Sequence, residues 1–458
     1  MSSERAMLSL GELADIKHGW AFKSDFFSES PKDNPIVVGI GNFKYEGGFR
    51  FESTKIKYYE GDFPSDYLLE AGDILLVMTC QTAGGEILGI PGKIPGDNKK
   101  YLHNQRLGKF INKRRDLLDD DYAYHLFKSA DFNRFLASSA SGTKILHTSP
   151  DRILQYSLEL PPVSKQKVIA HILGTLDDKI ELNRKTNETL EAMTKALFKS
   201  WFVDFDPVKE KAEGRPTGLP AEVSNLFPDS FEDSELGEIP NGWRVFELGD
   251  CSLHIESGTR PKGGIDKNLA FGIPSIGAES ISPIGQFDFS KTKWVNAAFA
   301  QSAGRGWIQN YDVALYKDGG KPGEFRPRTA LYGDGFPFDK AMVNEHVFLL
   351  RSSQLGQPYL YYLFNFDLVL AQIIHKGSSK GAQPGLNQDE VRTSSFVKPD
   401  KRVLDVFNLT IEPSIRKQLL LGKNCQVLSQ LRDALLPKLI SGEIRIPDAE
   451  KMLEKVGV

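Results

Sequence analysis

Along residues 190–202 (LEAMTKALFKSWF) the apolar positions Leu190, Met193, Leu197 and Trp201 recur at steps of three, four and four. That spacing places them on one stripe of a helix and predicts packing along a second helix. The stripe returns near the carboxyl terminus. Residues 428–440 (LSQLRDALLPKLI) align with 190–202 without a gap, setting Leu428, Leu431, Leu435 and Leu439 on the same four positions.

The offset of about 238 residues carries upstream. SLELPPVSKQ (157–166) aligns with SFVKPDKRVL (395–404), each a strand ending at a proline, Pro161 or Pro399, ahead of a helix start. Ile169, Leu173 and Leu182 then match Phe407, Ile411 and Leu420. Gly174 and Pro413 fall close together, and a bend is expected at both because either residue disturbs a helix interior. Asn183 and Asn187 interrupt the first stripe. They read as solvent-facing amides, with a buried, register-fixing role as the alternative.

The remaining sequence repeats more loosely. SLGELADIKHG (9–19) is similar to ELGDCSLHIESG (247–258), and AGDILLVMTC (71–80) to YDVALYKDGG (311–320), with Asp73 over Asp312. LHNQRLGKFI (102–111) is similar to MVNEHVFLLR (342–351), with Asn104 over Asn344. AYHLF (123–127) is similar to LYYLF (360–364), and both predict short helices. Between these lie short β-branched or aromatic runs broken by Gly, Pro and Asn, which predict strands and long loops. A period this long excludes a solenoid and means a duplicated module. The expected boundaries are a globule over 1–160, a helical run over 161–236, a second globule over 237–398 and a second helical run over 399–458.

The expected fold is therefore α+β, two similar globules joined by two long helices that pack as an antiparallel coiled coil with a pseudo-twofold axis. The long helix within each run is about 40 residues, so the rod is about 60 Å long, less if it bends. Two heads carried on one face of such a rod can each enter a major groove, where twofold readers place half-sites about 34 Å apart or at multiples of it. Because the heads differ in sequence, their half-sites should differ. The competing reading is that the helices simply join two domains.

Composition changes this picture little. The 458 residues are 40% hydrophobic and 26% charged, ordinary for a water-soluble chain with more than one core. No apolar run approaches the length of a bilayer span, and the start MSSERAMLSLGELADIKHG predicts no secretory signal. Cys80, Cys251 and Cys425 are far apart and read as small buried hydrophobes of a cytoplasmic protein. The net charge of −3 and pI near 6.3 count against a free-standing DNA binder. By segment the charge is −2 over 1–160, −4 over 161–236, +1 over 237–398 and +2 over 399–458. Any DNA contact must then come from local basic surfaces, with partner chains supplying many phosphate contacts.

Three stretches resemble one family. Residues 160–208 (LPPVSKQKVIAHILGTLDDKIELNRKTNETLEAMTKALFKSWFVDFDPV) resemble the central helical spacer of type I restriction–modification specificity subunits. Residues 226–243 (LFPDSFEDSELGEIPNGW) resemble the lead-in to their second recognition domain, and 431–444 (LRDALLPKLISGEI) their C-terminal spacer. The resemblance implies that each globule is a target recognition domain for double-stranded DNA. It implies that the chain binds two modification subunits, forming an adenine-N6 methyltransferase, and that restriction subunits add translocation and cleavage. It places S-adenosylmethionine, ATP and Mg in those partner chains, with no cofactor in this one. One departure is that the second spacer begins KPDKRV where the first has PPVSKQ, so its first turn should pack differently.

The chemistry of the chain agrees with a non-catalytic role. There is no GxxxxGK[ST] phosphate loop, and Gly39-Ile40-Gly41 reads as a tight turn. No NPPY- or DPPF-like segment is present. A nuclease-like PD…DxK can be assembled from Pro150, Asp151, Asp177 and Lys179, but it reads as a solvated charged face on a helix. The eight histidines form no pair at metal-ligand spacing.

Base and phosphate readout needs loops that present Arg, Lys, Asn and Gln. In the first globule the candidates are Lys23, Lys44, Gln81, Thr82, Lys99, Lys100 and the loop Ser141-Gly142-Thr143-Lys144. That loop aligns with Lys380-Gly381-Ala382-Gln383 in the second. The second adds Arg260, Lys262, the loop Lys317-Asp318-Gly319-Gly320-Lys321, Arg326 and Arg328. For any one of them a plain surface charge is the competing reading; the matching glycine-containing loops favour the set. Leu190, Met193, Leu197, Trp201, Leu428, Leu431, Leu435 and Leu439 are assigned to helix or subunit packing. Trp201, Phe202 and Phe205 read as intramolecular core, or alternatively as a subunit anchor. Two other functions compete: a protein-binding adaptor that never touches DNA, and a nuclease with a hidden metal-dependent site.

Overall fold

The structure, a computed structural model, describes residues 7–30, 34–51, 56–266, 269, 271–287, 292–321, 323–333, 338–380 and 384–457. Its longest elements are two helices, Val163–Phe202 of 40 residues and Lys401–Ser441 of 41. Gly174 and Pro413 lie inside these helices and end neither, although Pro413 has no N–H to return to the Leu409 carbonyl. The chain divides into two compact units, residues 1–179 with 428–458, and residues 180–427.

In the first unit, strand Met7–Ser9 pairs antiparallel with Ser157–Glu159. A four-stranded antiparallel sheet runs in the order Ala14–His18, Leu107–Asn112, Ile74–Val77, Pro91–Lys93. A mixed sheet pairs Ile36–Val38 with Tyr101–His103 in parallel. Helices Asp120–Phe127 and Ala130–Ser139 follow, each with a side-chain N-cap, Asp119 and Ser129. The first long helix begins after Pro161-Pro162, with Gln166 fully buried. Its amide donates to the carbonyls of Leu117 (2.7 Å) and Pro161 (2.8 Å) and accepts from Asp119 N–H (2.9 Å). At the matching position the second long helix has apolar Leu404, so the two first turns do pack differently.

Asp177 departs from the solvated-face expectation. Its carboxylate takes Lys128 at 2.7 Å and Arg432 at 2.8 Å, both cations being 5% exposed. This ties the helix Asp120–Phe127 region to both long helices within the unit. Charges that would be costly alone here compensate one another.

The second unit repeats this topology. Strand Arg244–Glu247 pairs with Ser395–Lys398. The four-stranded sheet is Leu253–Ser257, Val347–Ser352, Val313–Tyr316, Arg328–Leu331. Ile273–Ile276 and Met342–Val343 pair in parallel, and helices Gln357–Leu363 and Asp367–Ser378 follow. Within this unit the long helices run antiparallel, with the Phe202 and Phe407 rings 4.9 Å apart at one end and Cys425 Sγ 3.6 Å from the Ile180 carbonyl at the other.

Asn183 and Asn187 are buried there, correcting the solvent-facing reading. The reason is a loop: Asn187 donates to the Ile284 carbonyl (3.1 Å), and Gly285 approaches so closely that a Cβ would lie 2.4 Å from the Gln418 carbonyl. Trp201 and Phe202 are buried against Phe227, Trp243, Tyr359 and Phe407, so the aromatic cluster is intramolecular core.

The residues matched between copies have matching jobs. Asp73 and Asp312 each accept the N–H three residues back (2.9 and 2.7 Å) and bind a cation on the neighbouring strand, Lys109 or Arg351. Asn104 and Asn344 each accept the N–H two residues on, at 3.0 Å in both cases. Gly19 and Gly258 each face backbone so closely that a Cβ would sit 2.0 Å from the Asn104 carbonyl oxygen and 1.9 Å from that of Val343.

Candidate nucleic-acid interface

Each unit brings two of the candidate loops side by side with the same backbone hydrogen bond. In the first, strand Thr79–Cys80 pairs with Leu146–His147, and Thr148 N–H donates to the Met78 carbonyl at 3.0 Å. Gln81 and Thr82 therefore emerge beside the turn that carries Thr143 and Lys144, and all four are exposed. Thr82 bonds Glu86, and His147 Nδ1 lies 3.1 Å from Thr79 Oγ1. In the second, Leu386 N–H donates to the Lys317 carbonyl at 2.8 Å, and Asp318 bridges Gly385. Lys380 pairs with Glu390 at 2.6 Å. Gly381, Ala382 and Gln383 lie outside the described residues.

Glycine permits this second loop. Gly319 and Gly320 hold φ of +126° and +120°, which a side chain rarely adopts. Beyond it, Lys321 and Arg326 lie on the hairpin Gly320–Phe325 and its exit. Phe325 anchors that hairpin, its N–H donating to Ser378 Oγ at 3.0 Å. Arg326 pairs with its neighbour Glu324, and Arg328 lies 5.0 Å over the Tyr316 ring. Lys321 is exposed and in no ion pair among the described residues.

The other candidates are scattered in contact terms. Lys23, Lys99, Lys100 and Lys262 are exposed. Lys100 precedes strand Tyr101–His103, its carbonyl accepting from Ile36 N–H at 2.8 Å, while Lys44 N–H donates to the Gly48 carbonyl (2.9 Å) in a separate turn.

Lys317 is no free cation. It is 19% exposed, pairs with Asp318 at 3.2 Å and lies 5.3 Å from the Phe348 ring centre. Arg260 pairs with Glu345 at 2.9 Å. Between these two pairs stands His346, which sequence reasoning missed. The available signal was its position two residues after the matched Asn344, where the first copy has Arg106.

On the long helices, Trp201, Leu428, Leu435 and Leu439 are buried, and Leu190, Leu197 and Leu431 are half-buried. Met193, assigned to helix or subunit packing, is 64% exposed. The inward face of this stretch is Asn187, Glu191, Thr194, Phe198 and Trp201. Glu191 is buried because it accepts the Tyr362 hydroxyl at 2.9 Å. Among the described residues no cluster of His, Cys, Asp and Glu is placed to hold a metal, and no helix is long and apolar enough to cross a membrane.

Comparison with known proteins adds the following. Residues 3–192 match the family model of the type I restriction modification DNA specificity domain. The chain is 27% identical over 351 residues to the specificity subunit of the type I restriction enzyme MjaIX of Methanocaldococcus jannaschii, covering 75% of this chain and 73% of that one. It is 24% identical over 489 residues to the HindI specificity subunit of Haemophilus influenzae, covering 94% and 98%. The crystal structure of a type I restriction-modification S subunit from M. genitalium shares the fold, with a TM-score of 0.54 at 13% identity over 96% of this chain and 97% of that one.

Proposed function

We propose a function from one premise: the chain belongs to the family of type I restriction–modification specificity subunits. It is the sequence-specific DNA-recognition subunit of such a complex and carries out no catalysis itself. Residues 1–160 and 237–398 are its target recognition domains, each reading one half of a bipartite site. Residues 161–236 and 399–458 are spacers that set the gap and dock two modification subunits, to which restriction subunits add. S-adenosylmethionine, ATP and Mg act in those partners, in the cytoplasm.

The observation that carries this reading is the duplicated loop pair. Gln81 and Thr82 with Thr143 and Lys144 in one unit, and the 317–321 loop against 384–386 in the other, are built on the same hydrogen bond. Each presents polar and basic groups of the kinds that groove and phosphate contacts use, beside glycines that permit close backbone approach. Unlike side chains on a common frame support two unlike half-sites. Lys321, Arg326 and Arg328 are the leading contacts in the second head, with Lys99 and Lys100 as phosphate contacts in the first. Exposed Met193 is available to a docked subunit.

The test is methylation mapping of a DNA library by this chain co-expressed with the modification subunit of its own system, with each partner alone as control. A split motif of two unlike halves, methylated only with both chains present, is expected. A stable complex without methylation would overturn the reading in favour of the adaptor.

A further inference from the structure

We propose that His346 is a positioning residue for recognition by the second unit, holding the Arg260 loop and the 317–321 loop at a fixed separation. The inference rests on the DNA-reading function proposed above. His346 Nδ1 lies 2.8 Å from Asp318 Oδ2, and Nε2 lies 3.2 Å from Glu345 Oε1. Asp318 Oδ2 also takes Lys317, and Glu345 Oε1 also takes Arg260. Five residues from three separate stretches thus form one chain: Arg260, Glu345, His346, Asp318, Lys317. The backbone closes it, since Lys317 N–H donates to the His346 carbonyl at 3.0 Å.

The imidazole is the only member that touches both carboxylates. A neutral ring has one N–H and can donate to one of them; the imidazolium donates to both. Such charge-assisted bonds are the strong kind. The ring side chain is 41% exposed, so the network is a surface device, outside the buried core. Its chemistry suits a polyanion. Glu345 and Asp318 would repel phosphate if bare, and here each has one cation, Arg260 or Lys317, and one ring nitrogen of His346 against it. Truncating His346 keeps the backbone bond from Lys317 but removes the one side-chain tie between the two carboxylates, leaving each with a single partner, Arg260 or Lys317. Groove readout tolerates displacements of only about 0.5 Å in its supports, so the loops' bases should be the ones misread.

The experiment is methylation mapping of the randomised library with the complex carrying wild-type chain, H346A, H346F or H346R. H346A is expected to lose about tenfold of its preference at bases of one half-site, the scale of a single mismatch, with the other half-site and the yield of complex unchanged. H346R restores donors to both carboxylates and should recover the preference. H346F restores only the ring volume and should not. An H346A map identical to wild type overturns the proposal, as does full activity in H346F or equal loss in both halves. A wild-type complex that shows no split motif overturns the DNA-reading function itself, a failure distinct from a normal motif that H346A leaves untouched.

Discussion

Replacing Asp177 by Asn removes one negative charge from between two buried cations without changing the volume. Lys128 and Arg432 each have side chains 5% exposed, and Asp177 meets them at 2.7 and 2.8 Å. In D177N, Lys128 keeps no carboxylate among the described residues. Arg432 keeps only Asp433, whose side chain is 64% exposed. Breaking a buried pair by removing one partner costs about 3–5 kcal/mol, because the remaining charge is stranded. Burial alone would raise the Asp177 carboxyl, but Lys128 and Arg432 outweigh it and hold the group below its usual range. Its contribution is therefore complete above the ordinary carboxylate value of about 3.9 and is lost as pH falls through the lower folded value. The D177N deficit should be constant from pH 5 to 8 and shrink only in stronger acid. Urea denaturation read by hydrogen exchange in peptides from 120–139 measures it, with 357–378 as the internal control. The triple variant K128M/D177L/R432M strands no charge and should recover most of the loss. A D177N midpoint within about 0.5 kcal/mol of wild type, the usual range for a surface change, would refute the clamp.

Charge reversal of Lys321, Arg326 and Arg328 should abolish recognition of one half-site while co-elution with the modification subunit persists; loss of co-elution would move this surface to subunit docking. Gly258→Ala should destabilise the second unit by about 3 kcal/mol in denaturant titration, since the new Cβ would lie 1.9 Å from a backbone oxygen. Gln166→Leu leaves the Leu117 and Pro161 carbonyls and the Asp119 N–H without their partner and should cost about 2 kcal/mol or more in the first unit. His125 is pushed down to about 3 by burial and then by Lys128. It folds neutral, so its contribution is complete above about pH 6.5 and lost as pH drops toward 3, and H125N should flatten the acid side of the stability profile.

The repeat in the sequence was legible because backbone geometry demands it. Asp73 and Asp312 each close a turn before a strand, Asn104 and Asn344 each close the next hairpin, and Gly19 and Gly258 each admit a neighbouring carbonyl. Those needs recur in both copies whatever the loops between them do. The helix stripe was less legible. Its inward face carries Asn187, Glu191 and Thr194, polar groups that a hydrophobic pattern assigns to solvent. They are inside because the second unit offers partners, the Ile284 carbonyl and the Tyr362 hydroxyl, from distant sequence. Periodicity cannot see a partner 97 or 171 residues away.

The two head-to-helix junctions show what this duplication allows. His125 of AYHLF and Tyr362 of LYYLF occupy matching positions on matching helices. In the first unit the contact to the long helices is ionic, through Lys128, Asp177 and Arg432. In the second it is a hydroxyl on a carboxylate, Tyr362 to Glu191, beside buried Gln418. The first junction buries two cations against one carboxylate, and the second has one carboxylate that takes a hydroxyl and, at 3.2 Å, Lys195, so a shared fold carries different contacts at matching places. Each globule thus meets the long helices of its own unit through different residues. A chimera that exchanges Lys128, Asp177 and Arg432 for their second-copy counterparts strands no buried charge and should therefore keep the fold, and an unfolded chimera by circular dichroism would refute the equivalence of the two junctions.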